Sequence, residues 1–171
     1  MLEPLMLKCL EEKAKLSGTT VLMVDVSGSM DVKISGRSDL LRLDAACGLA
    51  ILLREICENV AVATFSNAMV QVPPRRGFAL RDAILQSQPH GGTYLANTLK
   101  SLHANEKNVY DRIIVITDEQ TADGITPPRG KGYVINVASA KNGIGYGDWT
   151  HIDGWSEAVL DYIQAFEQGE A

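Results

Sequence analysis

A chain of 171 residues suits one domain with a sizeable core, burying about two thirds of the surface its unfolded form exposes. Its 46% hydrophobic and 22% charged residues are those of a soluble globular protein, so folding calls for neither a disulfide framework nor a membrane. With 16 Lys and Arg against 21 Asp and Glu the formal charge is −5, which argues against the basic face of a protein that grips nucleic acid through phosphates.

The chain opens with Leu2, Leu5, Met6, Cys9, Leu10 and Ala14 at helical spacing, so residues 3–15 read as an amphipathic helix ended by Ser17-Gly18. Acidic and basic residues lie among the apolar ones, so residues 1–18 are neither a signal peptide nor a membrane span. The division expected is an N-terminal helix over 1–18 and one domain over 19–171. Thr20 to Val24 is a short, β-branched apolar run, the pattern of a strand buried on both faces, and it stops at Asp25. Asp31 to Asp39 is a polar loop. Leu41, Ala45, Leu49, Leu52, Leu53 and Ile56 mark a helix over 40–58, and Val60 to Phe65 is a second strand. Ser66-Asn67 turns the chain into Met69 to Val72, an antiparallel edge strand closed by Pro73-Pro74, which cannot continue a ladder. Helices are expected over 79–86 and 94–104, separated by the loop that leads to His90-Gly91-Gly92. Ile113 to Ile116 is the most apolar strand, and Tyr133 to Val137 is a further one. Gly143 to Gly147 is a glycine-rich turn. Ser156 caps a last helix with Ala158, Val159, Tyr162, Ile163 and Phe166 inward.

Strands alternating with helices along the whole chain imply an α/β fold: a doubly wound, mostly parallel sheet with one antiparallel edge strand and helices on both faces. In such sheets ligands sit at the carboxyl ends of the strands, where strand order reverses. The places to look are therefore Asp25, Ser66, the loop before Thr93, and Asp118.

Those places carry hard oxygen donors. Asp25-Val26-Ser27-Gly28-Ser29 puts a carboxylate and two hydroxyls on alternate residues, which point the same way in an extended loop. Thr117-Asp118-Glu119 follows the strongest strand with a second carboxylate, and Gly91-Gly92-Thr93 offers a third hydroxyl. Two carboxylates and three hydroxyls suit a hard divalent cation, Mg²⁺ first, with Mn²⁺ or Ca²⁺ as alternatives, and leave a coordination position open. No soft ligand is present to select copper or zinc.

Asp25-Val26-Ser27-Gly28-Ser29 with Thr93 and Thr117-Asp118 resembles the metal-ion-dependent adhesion site (MIDAS) of von Willebrand factor A (vWA) domains. By position the resemblance makes Asp25, Ser27, Ser29, Thr93 and Asp118 the metal ligands. Val62 to Val70, Pro89 to Thr93, Val115 to Glu119 and Ala158 to Ile163 further resemble the C-terminal vWA domain of Ro/TROVE RNA-binding proteins. In that family the domain closes a ring of helical repeats that binds small non-coding Y RNA and misfolded RNA. The ring is absent from this chain, so RNA enters only indirectly.

The resemblance implies a Rossmann-like module that binds a protein partner, which donates a carboxylate to the metal. The alternative is a structural closure for an RNA-binding ring, the metal being dispensable. A metal-dependent phosphohydrolase, with Glu119 polarising a water, is the third reading. Against catalysis, the sequence holds no P-loop and no nucleophile–base pair; His90 reads as a packing or hydrogen-bonding loop residue, and the sequence offers no partner for His103 or His151. The basic clusters Pro73-Pro74-Arg75-Arg76 and Arg129-Gly130-Lys131 read as solvated loops. Cys47 and Cys57 fall in the segment read as a buried helix and act there as small apolar residues. Three cysteines without a CxxC pair point to a reducing cytoplasm.

Overall fold

The computed structural model describes residues 15–31, 41–88, 91–92, 94–104, 109–118, 127–128, 130–137, 149–153 and 158–169, with Ser29, Asp153, Ala158 and Gln168 described through their backbone alone. Six strands form one sheet: β1 (Leu16–Asp25), β2 (Cys57–Phe65), β3 (Met69–Gln71), β4 (Arg112–Thr117), β5 (Lys131–Asn136) and β6 (Thr150–Asp153). Among the described residues the helices are α1 (Arg42–Ile56), α2 (Gly77–Leu85), α3 (Leu95–Ala104) and α4 (Ala158–Gly169), with a 3₁₀ turn at Gly28–Met30.

The strand order is β3-β2-β1-β4-β5-β6. All neighbours are parallel except β2 and β3, which pair antiparallel through Ala63 with Gln71 and Phe65 with Met69. The chain thus builds outward from β1 on one side, then returns to add β4 on the other. That reversal puts the carboxyl ends of β1 and β4 side by side, with Val24 opposite Ile116. A doubly wound sheet binds its ligands at this crevice.

Alternating side chains of the central strands feed two cores. Leu22, Val24, Ile114, Ile116 and Ile135 pack with Leu49 and Leu53 of α1, Leu80 and Ile84 of α2, and Val159 and Ile163 of α4. Met23, Phe65, Val115, Val134 and Trp149 face the other way, against Leu95, Leu99 and Leu102 of α3. Every residue of β4 is buried, which is why that strand reads as an unbroken apolar run. Each large aliphatic side chain removed from water contributes about 1.5–3 kcal/mol, so both faces must be covered for the sheet to be stable.

At the amino end of the sheet sits a buried ion pair. Arg112 opens β4 at 3% exposure, and its guanidinium binds both carboxylate oxygens of Glu167 on α4. It also donates to Thr20 Oγ1 at 2.8 Å and to the Ser17 carbonyl at 3.1 Å, while the Tyr133 hydroxyl donates to Glu167 at 3.0 Å. Burial pushes the Glu167 carboxyl up, but the hydrogen bonds and charge of Arg112, with Tyr133 and Lys131, hold it below the ordinary carboxylate value. α4 is thereby stapled to β1, β4 and β5.

Several elements depart from sequence expectation. β1 begins at Leu16 rather than Thr20, with Gly18 at φ +80° in an irregularity between Leu16 and Thr19. Ser17-Gly18 therefore lies within the strand as a bulge, not as a helix stop. The backbone there accepts no other residue easily, because a Cβ on Gly18 would fall 2.3 Å from Asp111 Oδ2. α1 ends at Ile56 and Cys57 opens β2, so Cys47 is helical and Cys57 is not; pairing of Leu16 with Cys57 and Thr19 with Asn59 draws residues 57–59 into the sheet. β6 was not legible, because its only aliphatic residue is Ile152 and it exists by pairing with β5. Tyr162, expected inward, is 48% exposed, and Leu160 is buried beside Val159 instead. The amphipathic segment 3–14, the polar loop from Val32 to Asp39, the glycine run 143–147 and Ser156 lie outside the described residues.

Candidate metal centre

Asp25 ends β1 and Asp118 follows the last residue of β4, and both are fully buried. Burial at these strand ends is what the sheet dictates, since Val24 before Asp25 and Ile116 and Thr117 before Asp118 are themselves buried. The Asp25 carboxylate is held on both oxygens. Oδ1 accepts the Ser27 amide at 2.8 Å, and Oδ2 accepts the Thr117 hydroxyl at 2.7 Å. The first bond is a tight local turn of the kind Asp makes with the amide two residues on. The second crosses from β1 to β4 and locks the two strand ends together.

Burial pushes the Asp25 carboxyl up to about 6, against the hydrogen bonds from Ser27 and Thr117, and the nearby charge of Asp118 adds to the rise. Asp118 in turn takes Arg42, the first residue of α1, whose Nη1 lies 3.0 Å from Oδ2. Two buried carboxylates therefore stand within electrostatic reach of one another.

The second loop is tied to the first. The Gly28 amide donates to the Gly91 carbonyl at 2.8 Å, which brings the glycine pair before Thr93 against the turn after Asp25. The buried hydroxyl of Ser66, at the end of β2, accepts the Gly91 amide at 2.9 Å and donates to the Gly92 carbonyl at 2.8 Å. Asn67 Oδ1 accepts the Gly92 amide at 3.0 Å. Thr64, Ser87 and Gln88 form a further hydrogen-bonded group at the same end of β2.

Of the five ligands expected from sequence, the structure places Asp25, Ser27 and Asp118 together, Ser27 being 1% exposed. Thr93, Glu119, His90 and the Ser29 side chain lie outside the described residues. Sequence reasoning missed Arg42, Thr117 as a hydrogen-bond donor, and Asn67. Thr117 was visible as the residue before Asp118, whereas nothing in the chain signals that Arg42 reaches Asp118 across 76 positions. His103, for which the sequence offers no partner, forms a hydrogen bond with the Tyr110 hydroxyl at 2.7 Å and stacks on its ring. Trp149 is core at 5% exposure.

The donor set fits a hard cation. The expected ligands that the structure describes, Asp25, Ser27 and Asp118, offer oxygen side-chain donors, although among the described residues no three of His, Cys, Asp or Glu gather. Two buried carboxylates within electrostatic reach of one another are an arrangement that a divalent ion would complement.

A model described as the Ro60 vWA domain matches residues 19–130, well over half of the chain. The chain belongs to the Ro60 vWA domain family. Its fold agrees with a Deinococcus radiodurans Ro (RSR) protein at a TM-score of 0.74 and 20% identity, covering 95% of this chain and 36% of that one. This Ro60 vWA domain thus spans little more than a third of that Ro protein's length. It is also similar to an aerotolerance-related membrane protein of Bacteroides fragilis, at a TM-score of 0.59 and 16% identity over 89% of this chain and 98% of that one. BatB of Bacteroides thetaiotaomicron, a conserved hypothetical protein, gives 0.57 and 14% over 91% and 100%. No curated protein matches. No helix of this vWA domain, among the described residues, is long and apolar enough to cross a membrane.

Proposed function

We propose that this vWA domain is a metal-dependent protein-binding module of a Ro-type ribonucleoprotein, and not an enzyme. The observation that carries the reading is the meeting of Asp25 and Asp118, both fully buried, at the one crevice the strand order creates. Asp25, Ser27, Ser29, Thr93 and Asp118 would hold Mg²⁺, or Mn²⁺ or Ca²⁺ in its place. A bound divalent cation supplies a positive centre for a carboxylate oxygen from a partner protein. Thr117 and the Ser27 amide orient the Asp25 carboxylate, and Arg42 orients Asp118. RNA is reached only through a helical-repeat ring outside this chain, and the reducing cytoplasm remains the expected location.

The acidic balance supports the indirect role for RNA. In the basic cluster at residues 73–76, Arg76 is engaged with both oxygens of Glu55, which is 4% exposed. In the second cluster Lys131 lies 3.7 Å from Glu167. Neither cluster presents all its charges to a phosphate.

Titration calorimetry with Mg²⁺ tests the proposal: the wild-type chain binds, while Asp25→Ala does not and keeps its circular dichroism spectrum. Unchanged affinity in Asp25→Ala refutes it. One observation favours the alternative, a closure domain with a dispensable metal: Arg42 already neutralises Asp118 at 3.0 Å. Gel shifts of this chain and of the longer protein on structured RNA, with and without chelator, separate the two. Chelator-insensitive assembly and RNA binding of the longer protein favour closure alone.

A further inference from the structure

Ser66 is the strand-end residue that the ligand set leaves unused. It closes β2, is fully buried, and commits its hydroxyl to a single loop by accepting from Gly91 N at 2.9 Å and donating to Gly92 O at 2.8 Å. Its own carbonyl accepts the Tyr94 amide at 3.2 Å, on the far side of Thr93 in sequence. Gly91 is therefore gripped twice, its amide by Ser66 and its carbonyl by the Gly28 amide of the first loop. Asn67 completes the grip through Gly92 N, and its Nδ2 lies 2.5 Å from where a Cβ on Gly91 would sit, so the two loops approach as closely as glycine allows. A hydroxyl satisfied as both donor and acceptor by consecutive residues fixes the position of the loop as well as adding stability.

We infer that Ser66, seconded by Asn67, is a positioning residue: it sets where the loop leading to Thr93 lies against the Asp25 turn, and so sets the affinity for a divalent cation. The inference rests on the metal reading above. Groups that orient metal ligands from behind typically change affinity by about 10–100-fold when removed.

The test is Mg²⁺ titration calorimetry on the 171-residue chain and its variants, with urea unfolding of each in EDTA. Ser66→Ala should weaken Mg²⁺ binding by about tenfold or more. Asn67→Ala, an exposed residue making one of these bonds, should weaken it by less and serves if Ser66→Ala does not fold. Glu167→Ala, which breaks the ion pair at the opposite end of the sheet, should lose stability with no loss of Mg²⁺ affinity. Wild-type affinity in Ser66→Ala and Asn67→Ala, with binding abolished in Asp25→Ala, overturns this inference and leaves the metal site standing. An equal affinity loss in Glu167→Ala overturns it too, because the effect is then one of general stability. A wild-type chain that does not bind Mg²⁺, or an Asp25→Ala variant that binds normally, overturns the metal reading and this inference with it.

Discussion

Replacing Asp25 with Asn should make the domain more stable when no divalent cation is present and less responsive when one is. The Asp25 carboxyl is pushed from its ordinary 3.8 to about 6, first by burial and then, after the opposing bonds from Ser27 and Thr117, by the charge of Asp118. A raised folded value means the folded state binds this proton more tightly than the unfolded chain. The stabilisation is complete below the ordinary value and disappears as pH rises through about 6. At about 1.4 kcal/mol per tenfold change in proton affinity, the ionised carboxylate costs the fold roughly 3 kcal/mol at pH 7.5. An asparagine carries no charge, keeps the oxygen that accepts the Ser27 amide, and turns its amide toward a Thr117 hydroxyl that can accept. At least half of that 3 kcal/mol should therefore return, roughly 3–12 °C in Tm for a domain of this size. Thermal and urea unfolding in EDTA measure it directly. In Mg²⁺ at a hundred times the dissociation constant, the wild type should gain about 2.7 kcal/mol and the variant nothing, closing or reversing the gap. If Asp25→Asn is no more stable than wild type in EDTA at pH 7.5, the claim that this site holds a strained charge is wrong.

Glu167→Ala strands the buried Arg112 guanidinium and should cost about 3 kcal/mol, a Tm fall of about 6–12 °C, with Arg112→Met/Glu167→Leu recovering much of it. A fall of under about 2 °C would show the pair to be solvated. Because the Glu167 carboxyl is held below its ordinary value, its contribution is present above that value and lost as pH falls through the depressed one. Urea midpoints from pH 7 to 3 should thus drop more for wild type than for Glu167→Ala. Gly18→Ala forces a side chain into positive φ and onto Asp111, which also anchors the Thr19 amide at 2.8 Å; a loss of about 1–3 kcal/mol is expected, and an unchanged urea midpoint would contradict it. Burial pushes the Cys47 thiol up to about 12 and raises Cys57 as well. In a Cys9→Ser background neither should react with a thiol reagent until the chain unfolds, and rapid labelling of the native protein would show the helix α1 and β2 junction to be open.

How far the sequence reached depended on whether the controlling interactions were local. Strand β4 and helix α1 were readable because burial on both faces writes an unbroken apolar run, and burial of one stripe writes a helical period. Asp25, Ser27 and Asp118 were readable for the same reason, since each stands just at or past the end of an apolar run. Elements that owe their form to a distant partner were not. Cys57 and Glu58 fall within the helix expected from sequence, yet become strand because β1 offers this segment hydrogen bonds. Thr150 to Asp153 have almost no apolar content and are strand because β5 is beside them.

The chain by itself determined the α/β alternation, the parallel core strands, and which oxygen-bearing residues stand at strand ends, all of which follow from hydrophobic period and turn chemistry within a few residues. Only the tertiary structure decided that β4 returns to lie against β1, because strand order is set by which buried faces pack best over the whole sheet. That choice alone gives Asp25 the Thr117 hydroxyl 92 positions away, and sets Arg42 on Asp118 across 76 positions. The raised proton affinity of Asp25 and the Ser66 grip on Gly91 arise at the same crevice. Charge and hydrogen bonding there depend on distance in space, which no local pattern of residues encodes.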